Sequence, residues 1–127
     1  MFVIVGSLVS FSAPPKPVAK PQGWFFIGDK IAAYGTDRDV LTVTGNDAYR
    51  KIKLKITGAP LHIIDMDVYF ENGTKQNVEL RKNFAQGSES RVIDFPGGMR
   101  RIQKIEFLYE TIGFIHGKAR VAVWGFK

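Results

Sequence analysis

The stretch Lys51-Ile52-Lys53-Leu54-Lys55-Ile56 decides the fold, because charged and apolar residues alternate along it without a break. A period of two sends successive side chains to opposite faces of a β-strand. Residues 64–71 repeat the pattern and predict a strand whose apolar side is formed by Ile64, Met66, Val68 and Phe70. Strands with one apolar and one polar side are typical of antiparallel sheets that cover a shared core.

Turn signals connect these strands to their neighbours. Asn72-Gly73 lies directly after the second strand, and this dipeptide between two alternating segments is a strong hairpin signal. The returning strand is expected at residues 76–81. Further short strands are expected at residues 24–27, 29–34, 39–44, 91–95, 101–109 and 119–126. No segment has the apolar spacing of a long amphipathic helix.

About eight short strands separated by turn signals predict one all-β domain over residues 24–127. We expect an antiparallel β-sandwich with a jelly-roll-like arrangement, in which two sheets pack their apolar sides together. A closed β-barrel is the alternative, because the same alternation also suits a barrel. The length of 127 residues fits a single domain.

The N-terminal segment predicts export rather than structure. Residues 1–12 begin with the apolar run MFVIVGSLVSF, and Ser10 and Ser12 suit cleavage before Ala13. No Lys or Arg precedes the run, which a truncated signal peptide would explain. Residues 13–23 contain four Pro and predict an extended tether. We therefore expect a periplasmic or secreted protein, without a transmembrane segment in the mature chain.

Composition narrows the class of protein further. The formal net charge is +6, which favours acidic partners. The chain has no Cys, which excludes thiolate nucleophiles, disulfides and zinc–thiolate sites. No P-loop, dinucleotide fingerprint or G-x-S-x-G elbow is present. We therefore expect a protein that is not an enzyme and that needs no cofactor, apart from a structural Ca²⁺ considered below.

Five segments together resemble a known group of proteins. They are residues 37–40 (DRDV), 66–73 (MDVYFENG), 90–102 (SRVIDFPGGMRRI), 104–109 (KIEFLY) and 117–125 (GKARVAVWG). The pattern is similar to a domain family of unknown function, whose members are small, uncharacterised proteins secreted to the periplasm of enteric and related bacteria. The resemblance covers residues 23–125 and implies a periplasmic or secreted β-sandwich. It implies no activity, cofactor or catalytic residue.

Two pairs of aspartates share one side of an extended segment. Asp37 and Asp39 would hold a structural Ca²⁺ if further oxygen ligands joined them, and the alternative is an ion-paired turn. Asp65 and Asp67 are about 7 Å apart by the rise of a strand. That separation resembles the carboxylate spacing of some glycosidases. A hydrolase is therefore one hypothesis, against the ordinary solvated side of a hairpin.

A basic strip gives the candidate binding site. The side chains of Lys51, Lys53 and Lys55 share one strand face, and further basic residues would extend it if their strands were neighbours. The predicted ligand-binding set is Lys51, Lys53, Lys55, Tyr69, Arg91 and Arg101. The alternative is that the lysines protect an edge strand from aggregation. Nucleic acid is not expected, because this strand lacks interleaved exposed aromatics and the protein is expected to be exported.

Trp24 and Trp124 lie near the two ends of the expected domain, and we expect both to be core residues that pack together where the termini meet.

The first hypothesis for function is a non-catalytic binding module for carbohydrate or an anionic envelope surface. The second is a structural or assembly protein that pairs a strand edge with a partner protein. The third is a hydrolase that uses one of the aspartate pairs.

Overall fold

The computed structural model describes residues 22–32, 36–111 and 118–127, without the side chains of Thr36 and Asp37. The predicted signal peptide and most of the predicted tether lie outside the described residues. Nine strands and no helix are present within these ranges. They are β1 (Trp24–Ile31), β2 (Thr36–Thr42), β3 (Ala48–Tyr49), β4 (Lys51–Thr57), β5 (Leu61–Phe70), β6 (Lys75–Phe84), β7 (Ile93–Asp94), β8 (Arg100–Thr111) and β9 (Arg120–Phe126).

The strands form two antiparallel sheets. The four-stranded sheet has the order β1-β9-β4-β7, and the five-stranded sheet has the order β2-β8-β5-β6 with β3 paired to β8. Every strand pair is antiparallel. The two sheets do not close into a barrel within the described ranges, so the barrel alternative is wrong there. The all-β, two-sheet prediction is confirmed, and the arrangement is sandwich-like.

The core consists of the inward side chains of both sheets. In β4 the residues Ile52, Leu54 and Ile56 are fully buried, and the lysines between them are not. In β5 the inward residues include Met66 and Val68, which are also buried. Burial of each such aliphatic side chain stabilises the fold by about 1.5–3 kcal/mol. The strict alternation of these two strands is therefore the pattern that separates core from surface.

β-Bulges change two details of the predicted strands. Ile64 was expected in the core, but the pairing of β5 shifts register between Ile63 and Asp65, and Ile64 is only half-buried. Ile63 is fully buried instead. The strands expected at 24–27 and 29–34 are one strand, β1 (Trp24–Ile31), whose pairing with β9 shifts register at Ile27, and residues 33–34 lie outside the described residues. Bulges insert an extra residue and so break a period of two.

The predicted β5–β6 hairpin is confirmed. The turn occupies residues 71–74, and Phe70 donates its N–H to the carbonyl of Thr74 at 2.9 Å. The Asn72 side chain accepts hydrogen bonds from both the backbone and the hydroxyl of Thr74. The strand expected at 91–95 is shorter than expected, because only Ile93–Asp94 pairs as β7.

At the edge of β4, the Ser90 side chain accepts a backbone hydrogen bond that a neighbouring strand would otherwise accept. Its buried hydroxyl accepts the Leu54 N–H at 2.8 Å and donates to the Arg91 carbonyl at 2.8 Å. We expect Ser90→Ala to lower the free energy of unfolding by about 1–3 kcal/mol, because the buried N–H loses its acceptor. Ser88→Ala is the control, since that hydroxyl is exposed and bonds only the nearby Ala85 carbonyl. Equal losses in urea unfolding of both variants would contradict this assignment.

Lys127, which follows β9, forms an ion pair with the loop before β3. Its ammonium lies 2.8 Å from an Asp47 carboxylate oxygen and contacts the faces of Phe25 and Tyr49. Burial raises the pKa of the Tyr49 hydroxyl, and nearby Asp47 raises it further. The hydrogen bond to Asp47 raises the pKa of Lys127.

Both raised pKa values predict a loss of stability at alkaline pH. A group with a higher pKa in the folded state stabilises the fold below its unfolded pKa, and this stabilisation is lost as pH rises through the folded pKa. We expect the melting temperature to fall as pH rises from about 9 to about 11.5, where Tyr and Lys titrate. The melting temperature of Tyr49→Phe is expected to fall less over this pH range than that of wild type. An identical decline in both proteins would contradict the role of Tyr49.

Candidate functional site

The lysine strip lies on the outer surface of the four-stranded sheet. Because Ile52, Leu54 and Ile56 point into the core, Lys51, Lys53 and Lys55 point away from it. The neighbouring strand β9 places Phe126 opposite Lys51, Trp124 opposite Lys53 and Ala122 opposite Lys55. Directly opposed residues of antiparallel strands share one face. The lysines therefore stand beside aromatic side chains from the other end of the chain.

Strand β1 extends this surface with two more aromatic residues. Trp24 lies opposite Phe126 and Phe26 lies opposite Trp124. The intervening Phe25 and Ile27 pack against the core, so Trp24 and Phe26 face outward. We call this surface the aromatic–lysine face. Its members are Trp24, Phe26, Lys51, Lys53, Lys55, Trp124 and Phe126.

The rings of the aromatic–lysine face are held by one another and by the lysines. Trp24 and Phe126 pack edge to face with centroids 5.3 Å apart, and Phe26 and Trp124 do so at 5.5 Å. Such pairs contribute about 0.5–1.5 kcal/mol each beyond their buried area. The Lys53 ammonium lies 4.5 Å from the centre of the Trp24 ring. The rings are therefore pre-arranged, although Phe26 remains 52% exposed.

The charges of this surface are only partly balanced. Lys53 forms an ion pair of 3.2 Å with Glu89, which lies beyond the edge of β4. Arg120 forms one of 2.7 Å with Asp29 on β1. Among the residues that the structure describes, Lys51 and Lys55 have no carboxylate within ion-pair distance. These two ammonium groups leave the face with a positive charge.

A shallow hollow opens in the middle of the aromatic–lysine face. Its volume is about 180 Å³, and it is lined by Trp24, Lys53, Lys55, Glu89 and Trp124. Both of the chain's tryptophans therefore border one hollow. Indole rings offer apolar surface, and the ammonium of Lys55 offers three hydrogen-bond donors. The hollow can hold a group that has an apolar side and an anionic substituent.

The expectation that Trp24 and Trp124 belong to the core is wrong. Both are half-buried on the outer surface, although the termini do meet through the pairing of β1 with β9. The expectation that aromatics are not interleaved with the lysines is also wrong for the folded sheet. The strand β4 itself carries none, and its neighbours supply them. The sequence feature that indicates an outward Trp124 is the alternation in Val123-Trp124-Gly125-Phe126, where the small and branched residues face inward.

The other predicted binding residues lie elsewhere. Tyr69 is on the outer surface of the five-stranded sheet, where the ammonium groups of Lys75 and Lys104 cover its ring. Arg91 lies in the loop before β7 and donates to the Glu79 carbonyl at 3.4 Å. Arg101 is exposed on β8 and opposes Ala48. Of the predicted set, only Lys51, Lys53 and Lys55 lie on the outer surface of the four-stranded sheet.

The aspartate pair of β5 lies on the open outer side of the five-stranded sheet. The Asn77 side-chain amide donates to Asp65 at 3.0 Å and to Asp67 at 2.8 Å. The backbone N–H of Met66 also donates to Asp65. One amide from the neighbouring strand therefore bridges the two carboxylates. This arrangement is typical of a solvated cross-strand cluster that is held by hydrogen bonds.

The proposed calcium pair lies on β2. Asp39 accepts a hydrogen bond from the buried Tyr109 hydroxyl at 2.9 Å, and the Asp37 side chain is outside the described residues. Arg38 extends to Glu106 at 3.4 Å on the opposite side of the strand. Among the described side chains no group of three His, Asp or Glu residues is close enough to hold a metal ion. Of the two aspartates predicted to bind Ca²⁺, the structure therefore describes the carboxylate of Asp39 alone.

No helix in the described ranges could cross a membrane. Comparison with proteins of known sequence finds no curated protein that matches the chain. The crystal structure of SPBc2 prophage-derived protein YomS is similar to it, with 16% sequence identity and a TM-score of 0.47. That alignment covers 88% of this chain and 100% of the prophage-derived protein. A family described as Domain of unknown function (DUF2541) matches residues 2–125, and the chain therefore belongs to that family.

Proposed function

We propose that this protein is a non-catalytic binding module and that its ligand is an acidic polysaccharide. The observation that carries the proposal is the aromatic–lysine face, on which four outward aromatic residues of β1 and β9 lie beside two lysines of β4 that have no described carboxylate partner. Apolar ring faces suit the C–H side of sugar rings, and the lysines suit carboxylate groups along the same polymer. The ligand class follows from this combination.

The shape of the face supports a polymer rather than an enclosed small molecule. The four strands present an open sheet surface, and the central hollow of about 180 Å³ is of the size of a single sugar ring. We infer that one acidic sugar unit occupies the hollow, with its ring against Trp124 and its carboxylate near Lys55. Neighbouring units then lie along the remaining aromatics and Lys51.

The mechanism is equilibrium binding by stacking and charge. Exposed ion pairs contribute little individually, so the aromatic contacts supply much of the affinity and the lysines supply selection for acidic polymers. Salt weakens the charge contribution, because the Debye length falls from about 10 Å at 0.1 M to about 3 Å at 1 M ionic strength. Binding is therefore expected to weaken with added salt.

Calorimetric titration with three polymers tests the proposal. The probes are polygalacturonate, the same polymer with its carboxylates methyl-esterified, and oligo-dT. We expect saturable binding to polygalacturonate and at least about tenfold weaker binding to the ester, a difference of about 1.4 kcal/mol. Tighter binding to oligo-dT would replace the polysaccharide with single-stranded nucleic acid, which also stacks on aromatics beside basic residues. Equal binding to polygalacturonate and its ester would contradict the role of charge.

We also propose that the sandwich is a jelly roll. In sequence order β1 pairs with β9, β2 with β8, β4 with β7 and β5 with β6, which is the pairing of one long, nested antiparallel ribbon. Rolling that ribbon brings β4 beside β9 and β5 beside β8, and these are the remaining long pairs. Two Greek keys built in this way form the jelly-roll sandwich.

We further propose that the chain is exported in a bacterium and acts in the periplasm or outside the cell. The apolar run MFVIVGSLVSF and the following Pro-rich segment support export. Mass spectrometry of the protein from a periplasmic extract tests this, and we expect a chain that begins at Ala13. An unprocessed chain confined to the cytoplasm would contradict export.

The hydrolase hypothesis has less support than the binding module. Asp65 and Asp67 share the amide of one neighbour, Asn77, and stand on an open strand surface. A glycosidase needs one carboxyl group kept protonated as an acid and a second as nucleophile or base, in a site that surrounds the sugar. The open sheet surface that carries Asp65 and Asp67 does not surround a sugar in this way.

A further inference from the structure

Within the described ranges, the edges of the two sheets are protected to different degrees. The edge strand β6 carries the exposed charged residues Lys75, Glu79, Arg81 and Lys82, and Arg81 has a positive φ of 44°. Charges and irregular backbone are the usual protection of an edge against pairing. The edge strand β7 has only two residues. Neither edge offers a long, regular strand to a partner.

The edge strand β1 carries no charge over its first half, and the bulge at Ile27 is the irregularity in its pairing. Its sequence is WFFIGDKI, and no charged residue occurs before Asp29. It also carries two of the large apolar side chains that are exposed, Phe26 at 52% and Ile31 at 48%. Exposed apolar groups on an unpaired edge favour association with another strand.

The backbone of β1 presents a row of N–H and C=O groups on the side away from β9, where no other described strand pairs with it. Gly23 and Lys127 exchange both backbone hydrogen bonds, and Ala32 donates to Ala119. Hydrogen-bonded and non-bonded residues alternate along an antiparallel pair. With the extra residue Ile27, this alternation points the N–H and C=O groups of four residues away from β9. These residues are Trp24, Phe26, Asp29 and Ile31.

We propose that β1 pairs antiparallel with β1 of a second copy of this chain. The bulge at Ile27 lies near the centre of the eight-residue strand, so the row of N–H and C=O groups is nearly symmetric about the strand centre. Full-length pairing then sets Trp24 opposite the partner copy's Ile31 and Phe26 opposite its Asp29. Outward groups meet outward groups at every position. Such self-complementarity is what a two-fold symmetric interface requires.

This pairing would join the two four-stranded sheets into one continuous sheet. A two-fold axis perpendicular to that sheet keeps both aromatic–lysine faces on the same side, next to each other. The partner copy would then extend the row of aromatics for a long polymer, and bivalent engagement would raise its avidity. The dimer itself does not rest on the proposed polysaccharide function.

Sedimentation equilibrium tests the dimer on the purified chain from about 1 µM to about 100 µM, the range of moderate affinities. We expect a reversible monomer–dimer equilibrium. Ile31→Lys is expected to raise the dimer dissociation constant at least about tenfold, because a charge on the shared edge opposes pairing. Val40→Lys is the matched control, since Val40 is 37% exposed on β2 of the other sheet and should leave the dimer unchanged.

Two outcomes would overturn the proposal. A chain that is monomeric throughout the range has no β1 self-pairing. A dimer that resists Ile31→Lys but dissociates in Trp124→Ala forms through the aromatic–lysine face instead. The result is separable from the polysaccharide proposal, because the Ile31→Lys monomer keeps the whole hollow and is expected to bind short galacturonate oligomers as wild type does.

Discussion

The double variant Lys53→Glu/Lys55→Glu is expected to bind polygalacturonate about a hundredfold more weakly than wild type, because each reversal costs roughly 1.4 kcal/mol at a face that meets carboxylates. Both ammonium groups line the central hollow beside Trp24 and Trp124. Reversal of Lys53 also places a second carboxylate beside Glu89, its present ion-pair partner. Calorimetric titration at low ionic strength measures the change in affinity.

The control for this variant must change the net charge equally. Lys75→Glu/Lys82→Glu does so on β6, an edge strand of the five-stranded sheet that carries no residue of the aromatic–lysine face. Both double variants remove two positive charges and add two negative ones. We expect the control to keep its affinity within about threefold, since distant exposed charges are largely screened. An equal loss in both variants would mean that net charge alone attracts the polymer and that the face is not the site.

Gly58→Ala is expected to lower the free energy of unfolding by about 2–5 kcal/mol, the sum of a left-handed backbone penalty and an overpacking penalty. Gly58 has a φ of +83° in the connection from β4 to β5, where the chain passes from one sheet to the other. A Cβ atom there would lie 2.6 Å from the Lys118 carbonyl oxygen. Because the obstacle is backbone, relief requires the segment before β9 to move away from the β4–β5 connection.

Gly45→Ala separates the two contributions to this loss. Gly45 has a similar φ of +94°, but a Cβ atom there would meet nothing within 4 Å. Its loss should be only the conformational penalty of about 1–2 kcal/mol. Urea unfolding of the two variants measures the difference. Equal losses of unfolding free energy in the two variants would show that the close approach of Lys118 to the β4–β5 connection does not affect stability.

The strands could be predicted where side-chain polarity alternates. In β4 and β5 the polar residues mark one face and the apolar residues the other, so both strands were predictable, and Asn72-Gly73 made the β5–β6 hairpin predictable. Bulges were not, because an extra residue such as Ile27 or Ile64 leaves no mark in an apolar sequence. Their positions depend on which strand becomes the neighbour, and that is a tertiary property.

The candidate site was predictable only in part for the same reason. The lysines of β4 stand out because apolar residues separate them. Trp24 and Phe26 lie in the run Trp24-Phe25-Phe26-Ile27, in which every side chain is apolar and polarity cannot distinguish the faces. Their position beside the lysines follows from the pairing of β1 and β9, strands from opposite ends of the chain.

Tyr69, Arg91 and Arg101 would join the lysine strip only if their segments were neighbours of β4. The structure separates them, because β5 and β8 belong to the other sheet and Arg91 lies in a loop. Charge and residue type gave no information on sheet membership. The strand order decides sheet membership, and that order is a tertiary property that no local pattern gives.

The most direct test of the account uses the side-chain N–H signals of the two tryptophans in ¹H–¹⁵N NMR spectra. The chain has only two Trp, and both border the hollow of the aromatic–lysine face. On titration with galacturonate oligomers, we predict that both indole signals shift and reach saturation at the same dissociation constant as calorimetry gives. Binding by calorimetry while both indole signals stay in place would contradict the account, because the ligand would then occupy another surface.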